Sequence, residues 1–272
     1  GMYKIVEGIV REIEKQNIKI HYNTEITGYK STNNRLKYLT DADGKKWEAD
    51  IYLVNADAAW FRGKILNRPE FSEEKLDKMK WTMGTLTFYL GINQKIPGLK
   101  HHNYYLGTNF REYANKIFTN PTSFEKPYYY VNVLSHSNDN CAPKGCESLF
   151  FVCPVPDLRF KPDWSDREEI VNSIIKDFSN RLGIDIQQKI ISKTIYTPEE
   201  WRDQFNLHKG SSLGLAHDMN QIGGFRPKNF DEHYKNLFYT GASTLPGTGL
   251  PMVVISSKLA VERIEKYDST IQ

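Results

Sequence analysis

The chain has 272 residues, room for one large domain or two modest ones, and its 13% aromatic content supports a substantial core. Its formal charge of +3 is small and its Lys and Arg residues are interspersed with Asp and Glu, which excludes a phosphate-backbone stripe and with it nucleic acid as a partner. No apolar run reaches the roughly 18 to 20 residues of a membrane span and the first residues form no signal-peptide core, so a cytoplasmic protein is expected, with peripheral membrane contact left open.

Ile5, Val6, Ile9, Val10 and Ile13 recur at helical spacing and predict a helix that stops near Gln16 and Asn17. Residues 18–22 alternate and predict a strand. Extended runs at 35–40 and 46–54, joined by the turn signal Asp43-Gly44, predict a hairpin. Its last part, Tyr52, Leu53 and Val54, is an apolar strand that ends in the small and polar residues Asn55, Ala56 and Asp57.

From 82 to 92, Leu86, Phe88, Leu90 and Ile92 share one face while Thr85, Thr87 and Tyr89 share the other, the pattern of a half-buried strand. Further strands are predicted at 102–106, 128–134, 148–155 and 190–196, separated by Pro, Gly and Asn loops, so the sheet is mostly antiparallel. Val171, Ile174, Ile175, Phe178 and Leu182 form a helical stripe ending at Gly183 that covers one sheet face and leaves the other to line a cavity.

Near the end, Leu237, Phe238 and Tyr239 lead to Gly241, and Leu250, Val253, Val254, Ser257, Ala260, Val261 and Ile264 recur at helical spacing, which reads as strand, glycine-rich loop and helix. Pro251 suits a first helical turn, and Gly247 and Gly249 allow close backbone approach to a ligand. The helix start points free N–H groups at whatever the loop holds, for which an anion or an electron-rich ring edge is the natural guest. A purely structural turn remains the alternative reading of the same residues.

Other constellations have plainer readings. His101 and His102 are adjacent on a predicted strand and face opposite ways, and no carboxylate or thiolate spacing completes a set, so no metal site is assigned. Cys141, Cys146 and Cys153 are odd in number and lack C-x-x-C spacing, as expected of reduced thiols. No nucleophile-elbow pattern or Ser, His and Asp order supports a hydrolase. Tyr128, Tyr129 and Tyr130 with Phe150 and Phe151 serve either as sheet core or as the lining of a channel for a long apolar substrate.

The string NLFYTGASTLPGTGLPMVVISSKLA, residues 236–260, resembles the C-terminal flavin-contacting motif of the phytoene desaturase family of carotenoid and retinoid oxidoreductases, related to flavin amine oxidases. Similar stretches in matching order are Phe88-Tyr89-Leu90-Gly91, His101-His102-Asn103, Cys141-Ala142-Pro143-Lys144-Gly145, Val152-Cys153-Pro154-Val155-Pro156, Thr197-Pro198-Glu199-Glu200, 210–217 and Arg226-Pro227. The resemblance implies an α/β (α+β) fold: part of a flavin-binding Rossmann-like domain at 1–57 and 210–267, and a mostly antiparallel-sheet substrate domain with helices at 58–209. It implies FAD as cofactor, with Gly241, Ala242, Gly247, Thr248, Gly249, Leu250 and Met252 against the flavin, and Phe88, Tyr130, Phe225 and Arg226 toward an apolar substrate. The implied reaction is hydride transfer between a polyene and the flavin, which no side chain can perform alone, and no residue stands out as its catalytic base.

A full-length relative carries a G-x-G-x-x-G turn for the ADP half of FAD; here the nearest pattern, Gly247-Thr248-Gly249-Leu250-Pro251-Met252, lacks the last small residue and contains a proline. The chain is therefore expected to correspond to the C-terminal part of a family member and to purify without FAD. An elongated apolar cleft is expected between the sheet of residues 82–196 and the loop at 241–249. The alternative is a non-catalytic remnant that binds an apolar ligand or a partner.

Overall fold

A computed structural model describes residues 1–107, 109–119 and 128–268. The chain divides into two compact units, Gly1–Tyr22 with Gly84–Thr197 and Asn23–Met83 with Pro198–Gln272. The divisions thus fall at 22/23, 83/84 and 197/198, where the family resemblance implies 57/58 and 209/210. The physical reason for the last two is a zipper between the segments flanking them: Ser212 N–H donates to Met83 O at 2.9 Å, Ala216 N–H to Lys80 O at 3.0 Å, and Trp81 bridges Leu215.

The first unit begins with helix α1, Tyr3–Lys15, as the apolar stripe predicts, yet α1 buries none of its residues and Ile5, Val6 and Ile9 are exposed. No strand follows at 18–22, where Ile18, Ile20 and Tyr22 are exposed. An alternating pattern specifies a face, but a strand also needs a neighbouring ladder for its backbone groups.

The rest of this unit is a five-stranded antiparallel sheet in the order β6-β7-β8-β5-β9. Its strands are β5 (Gly84–Ile92), β6 (His102–Tyr105), β7 (Tyr129–Val133), β8 (Glu147–Val155) and β9 (Ile190–Tyr196). Helix α4, Phe110–Lys116, lies between β6 and β7 in sequence, and α5, Arg167–Leu182, covers one face of the sheet. The period-two alternation explains the layer: Leu86, Phe88, Leu90 and Ile92 are buried with Ile170, Val171, Ile174, Ile175 and Phe178 of α5. The register sets Phe88 opposite Phe151, with rings stacked at 4.3 Å, and Phe178 meets Phe151 edge-on at 5.1 Å. Gly183 ends α5 in the left-handed conformation at φ 66°, the cap its position in sequence predicts.

The second unit holds a three-stranded sheet β1-β2-β3, made of Ile26–Thr32, Arg35–Asp41 and Lys46–Glu48, and a parallel pair of β4 (Tyr52–Val54) and β10 (Leu237–Tyr239). The predicted 35–54 hairpin is thus two elements, because after β3 the chain leaves its partner and pairs with a strand almost two hundred residues later. β1 lacks clear alternation and escapes the sequence pattern; it turns into β2 through Asn33 and Asn34, both with positive φ, as a tight hairpin requires. Short helices α2 (Ala58–Trp60), α3 (Glu73–Asp77) and α6 (Pro198–Phe205) and the C-terminal α7 (Leu250–Asp268) complete the unit.

Beside β10 lies a buried charge cluster. Arg68 pairs with Asp231 and, at 3.0 Å, with Glu232, while the Tyr239 hydroxyl donates to Asp231 at 2.7 Å. Exposed pairs such as Lys4 with Glu7 are screened by water and contribute little. Breaking a buried pair by removing one partner costs about 3–5 kcal/mol because it strands a charge. Burial raises the Asp231 carboxyl, but the hydrogen bonds from Arg68 and Tyr239 outweigh it and hold the group below its ordinary 3.8. Its contribution is therefore present above about pH 4 and lost as pH falls through the lowered folded value. Urea denaturation of Arg68→Ala should show a loss of about 3–5 kcal/mol at neutral pH, and the gap to wild type should narrow in acid. A loss below about 1 kcal/mol would contradict the assignment.

Candidate functional site

β10 is the central strand of the site. On one side it pairs in parallel with β4, Leu237 with Tyr52 and Tyr239 with Val54; on the other, Asp231 N–H donates to Leu237 O and Tyr239 N–H to Asn229 O, both at 2.9 Å. β4 and β10 therefore release their chains at the same end, and the carboxyl ends of neighbouring parallel strands are where such arrangements receive ligands. The two exits are Asn55, Ala56 and Asp57 after β4, and the loop 240–249 after β10, which leads into α7.

The Asp57 carboxylate accepts the Trp60 N–H at 2.8 Å, capping α2, and accepts the Ser243 hydroxyl, tying the two exits together. Burial pushes the Asp57 carboxyl up, against the Ser243 and Trp60 hydrogen bonds. Within the loop, Gly241 takes φ 107°, its N–H donates to Ser256 Oγ of α7 at 3.1 Å, and its carbonyl accepts the Thr244 hydroxyl at 3.0 Å. The Asn229 amide lies within reach of Tyr239 O, Thr244 Oγ1, Leu245 O and Ser256 Oγ at 3.0–3.3 Å.

α7 begins at Leu250 with Pro251 in its first turn, as its sequence predicts, but of the apolar stripe only Ala260 is fully buried, with Val253 and Ile264 half-buried. Leu250, Val254 and Val261 are exposed, while Ser256 and Ala260 are fully buried. The correction has a steric cause: the helix approaches β10 and the loop with its smallest side chains, and Ser256 supplies a hydroxyl that a valine could not.

Arg226 holds the loop from below. Its guanidinium donates to Thr244 O at 3.0 Å, Ala242 O at 2.7 Å, Leu215 O at 3.1 Å, and Ala216 O and Gln221 O at 3.4 Å. The residue is 1% exposed. Burial lowers its pKa and Asp57 opposes that shift, yet an arginine in a protein does not lose its proton, so a positive charge sits under the loop. With the positive end of the 19-residue α7 it makes a field that favours negative charge on a guest.

The sequence-predicted site residues are therefore distributed as follows. Gly241, Ala242, Gly247, Thr248, Gly249, Leu250 and Met252 all fall on this loop and the first turn of α7. Gly249 is exposed and a Cβ there would meet nothing within 4 Å, as a ligand approach requires. At Gly247 the vacant Cβ position is instead taken up by the His217 ring. Of the four residues expected at substrate, Arg226 is engaged with backbone carbonyls and Phe88 is fully buried on the α5 side of the sheet. Phe225 is exposed, and Tyr130 is half-buried on the opposite sheet face.

That opposite face carries the register neighbours of the core residues. Tyr89 stacks on Phe150 at 4.7 Å and meets Tyr196 edge-on at 6.3 Å, and Tyr130 lies 5.1 Å from Tyr104. A one-residue step along a strand changes its face, so Tyr89 stands on the face opposite Phe88. His102 Nδ1 lies 2.6 Å from the Tyr130 hydroxyl and His101 Nδ1 lies 2.7 Å from Ser137 Oγ. Among the described residues no cluster of three His, Cys, Asp or Glu is placed to hold a metal.

Asp57, His217, Asn229 and Ser256 contact the loop 240–249 or its neighbours, a role that the sequence reading did not assign them. Only Asp57 left a signal, as a capping residue just after a strand.

No protein-family model matches the chain. Among curated proteins it is similar to the zeta-carotene-forming phytoene desaturase of Myxococcus xanthus, 32% identical over 266 residues that make up 97% of this chain and 51% of that protein. It is also 30% identical to the neurosporene-forming phytoene desaturase of Rhodobacter capsulatus, across 97% of this chain and 52% of that protein. The chain spans about half the length of the curated relatives it matches. Among solved structures it resembles an oxidoreductase from Methanosarcina mazei, TM-score 0.61 at 14% identity, covering 96% of this chain and 53% of that one. A protein from Pyrococcus furiosus follows, TM-score 0.56 at 11% identity, over 96% and 51%. At such identities the structural likeness shows the fold, mixed α/β with an antiparallel sheet, and the sequence matches show that the chain's relatives, over nearly its whole length, are phytoene desaturases.

If Arg226 holds the loop, a lysine cannot replace it, since an ammonium lacks the planar fork that reaches carbonyls on both sides. Arg226→Lys should lower stability by at least one charge-assisted hydrogen bond, about 1.5–3 kcal/mol, in urea denaturation. An unchanged midpoint would show that the fork is dispensable.

Proposed function

We propose that this chain forms the isoalloxazine-side and substrate-side portions of a FAD-dependent oxidoreductase that takes hydrogen from an apolar polyene. The observation that carries the reading is the loop 241–249, placed at the shared carboxyl end of β4 and β10 and opening onto the start of α7. Similarity to phytoene desaturases in both units favours it over a non-catalytic remnant.

The residues present fit a flavin. Gly249 leaves open space, Leu250 and Met252 start the helix, and in the first turn of any helix the N–H groups lack intrahelical acceptors. Gly241, Ala242, Gly247, Thr248, Gly249, Leu250 and Met252 would hold the ring, and FAD when bound would supply the hydride acceptor that side chains lack. Arg226 and the positive end of α7 favour negative charge on the ring edge, the helix end by about 0.3–1 kcal/mol and more where buried. Tyr89, Phe150, Tyr196 and Tyr130 offer an aromatic sheet face to an apolar chain, with Phe88 supporting it from the core side. Peripheral contact with lipid goes with such a substrate; among the described residues no helix is long and apolar enough to cross a membrane.

The sequence contains no G-x-G-x-x-G turn for the ADP half. Losing two or three charge-assisted contacts at about 1.5–3 kcal/mol each weakens binding by orders of magnitude. Purified alone, the chain should be colourless. Supplied in the same cell with the N-terminal half of the Myxococcus xanthus relative, it should copurify with FAD and convert phytoene. A stoichiometric flavin band on the chain alone would contradict the divided cofactor site, and a flavin-loaded pair that leaves phytoene unchanged would contradict the substrate.

A further inference from the structure

His217 contacts the loop at Gly247 and Thr248, and the flavin reading does not use that contact. Gly247 is buried at φ 142°, and a Cβ there would overlap the His217 ring, with Cε1 at 3.0 Å, Cδ2 at 3.1 Å and Nε2 closer still. The same Nε2 accepts the Thr248 N–H at 3.2 Å. A ring nitrogen that accepts carries no proton, so the contact exists only for the neutral imidazole with its hydrogen on Nδ1. Protonation turns Nε2 into a donor facing a donor and adds a cation two residues from the positive end of α7.

His217 is exposed. The charged groups around it do not offset the added charge. Arg226 is a second cation, bonded to Ala216 O beside His217 and to Ala242 O and Thr244 O of the loop. Asp218, next in the chain, pairs with Lys80 at 2.7 Å, and Asp57 on the β4 exit is occupied by Ser243 and the Trp60 amide.

We propose that His217 is a proton-dependent latch for the loop 247–249: the neutral ring fills the space over Gly247 and fixes the Thr248 amide, and the protonated ring releases it. Its purpose rests on the flavin reading, since the latched loop is the one offered to the isoalloxazine ring, but the latch is a property of this chain alone. His217 acts through the loop and is a positioning residue.

The test is nitrogen-15 NMR of the whole chain from about pH 8 to about pH 5, the interval in which imidazoles change charge. Wild type is compared with His217→Gln, whose amide oxygen accepts without titrating, and with His217→Ala. In wild type the Thr248 amide shift should follow the His217 ring resonances. Thr248 exchange, corrected for its intrinsic pH dependence, should become about tenfold faster at the acid end, as for loss of one ordinary hydrogen bond. His217→Gln should stay protected at both ends and His217→Ala at neither, with the α5 amides reporting intact folding. A Thr248 amide that ignores the ring titration, or a glutamine variant that behaves as the alanine one, overturns the latch. FAD added to wild type already paired with the complementing dinucleotide-binding half of a relative is a separate arm: if the flavin then shifts no amide in 241–252, the flavin reading fails while the pH series still decides the latch.

Discussion

One buried guanidinium gives the irregular part of this molecule a shape. The loop 240–249 is neither strand nor helix, so its carbonyls have no ladder to complete them, and an unpaired buried carbonyl costs as much as a lost hydrogen bond. Arg226 answers that requirement by donating to Ala242 and Thr244 on the loop and to Leu215, Ala216 and Gln221 on the segment before it. Asn229 donates to Leu245 O from β10's flank, and Ser256 of α7 accepts the Gly241 N–H. A charge can be buried this way because carbonyl dipoles replace its water, and the bonds hold the loop at Ala242 and Thr244.

The same division between holding and contacting runs through the sheet. Phe88, Phe151 and Phe178 fill the layer under α5 and fix the register, while the alternate residues Tyr89, Phe150 and Tyr130 stand on the other face. A substrate without polar groups can be recognised only through shape and apolar area, and aromatic rings provide both at small entropic cost because each has few rotatable bonds. The core face therefore sets stability, and under the proposed function the opposite face is left to specificity.

Much of this was legible in the sequence. Strict alternation in β5, the stripe of α5 with Gly183 at its end, and the order of strand, glycine-rich loop and helix from 237 onward all appear where pattern and turn chemistry place them. What pattern missed has a common cause. Hydropathy counts methyl groups, whereas α7 turns the polar Ser256 inward beside the predicted Ala260 and leaves Val254 and Val261 outside. Alternation at 18–22 could not say whether a neighbouring strand exists. Arg226 and His217 act on backbone groups, and a backbone carbonyl or amide leaves no mark in a sequence, so their identity was visible and their role was not.

The account comes to one claim: the loop 241–249 is formed in advance by Arg226, Asn229 and Ser256 and receives the ring end of a flavin at the start of α7. The direct measurement is a crystal structure of the chain with FAD and the complementing dinucleotide-binding half of a relative. The account predicts the isoalloxazine edge within hydrogen-bond reach of the amides of Gly249, Leu250 or Met252, with Arg226 still on its loop carbonyls. A ring bound elsewhere, or an Arg226 that has left those carbonyls to contact the flavin, would contradict it.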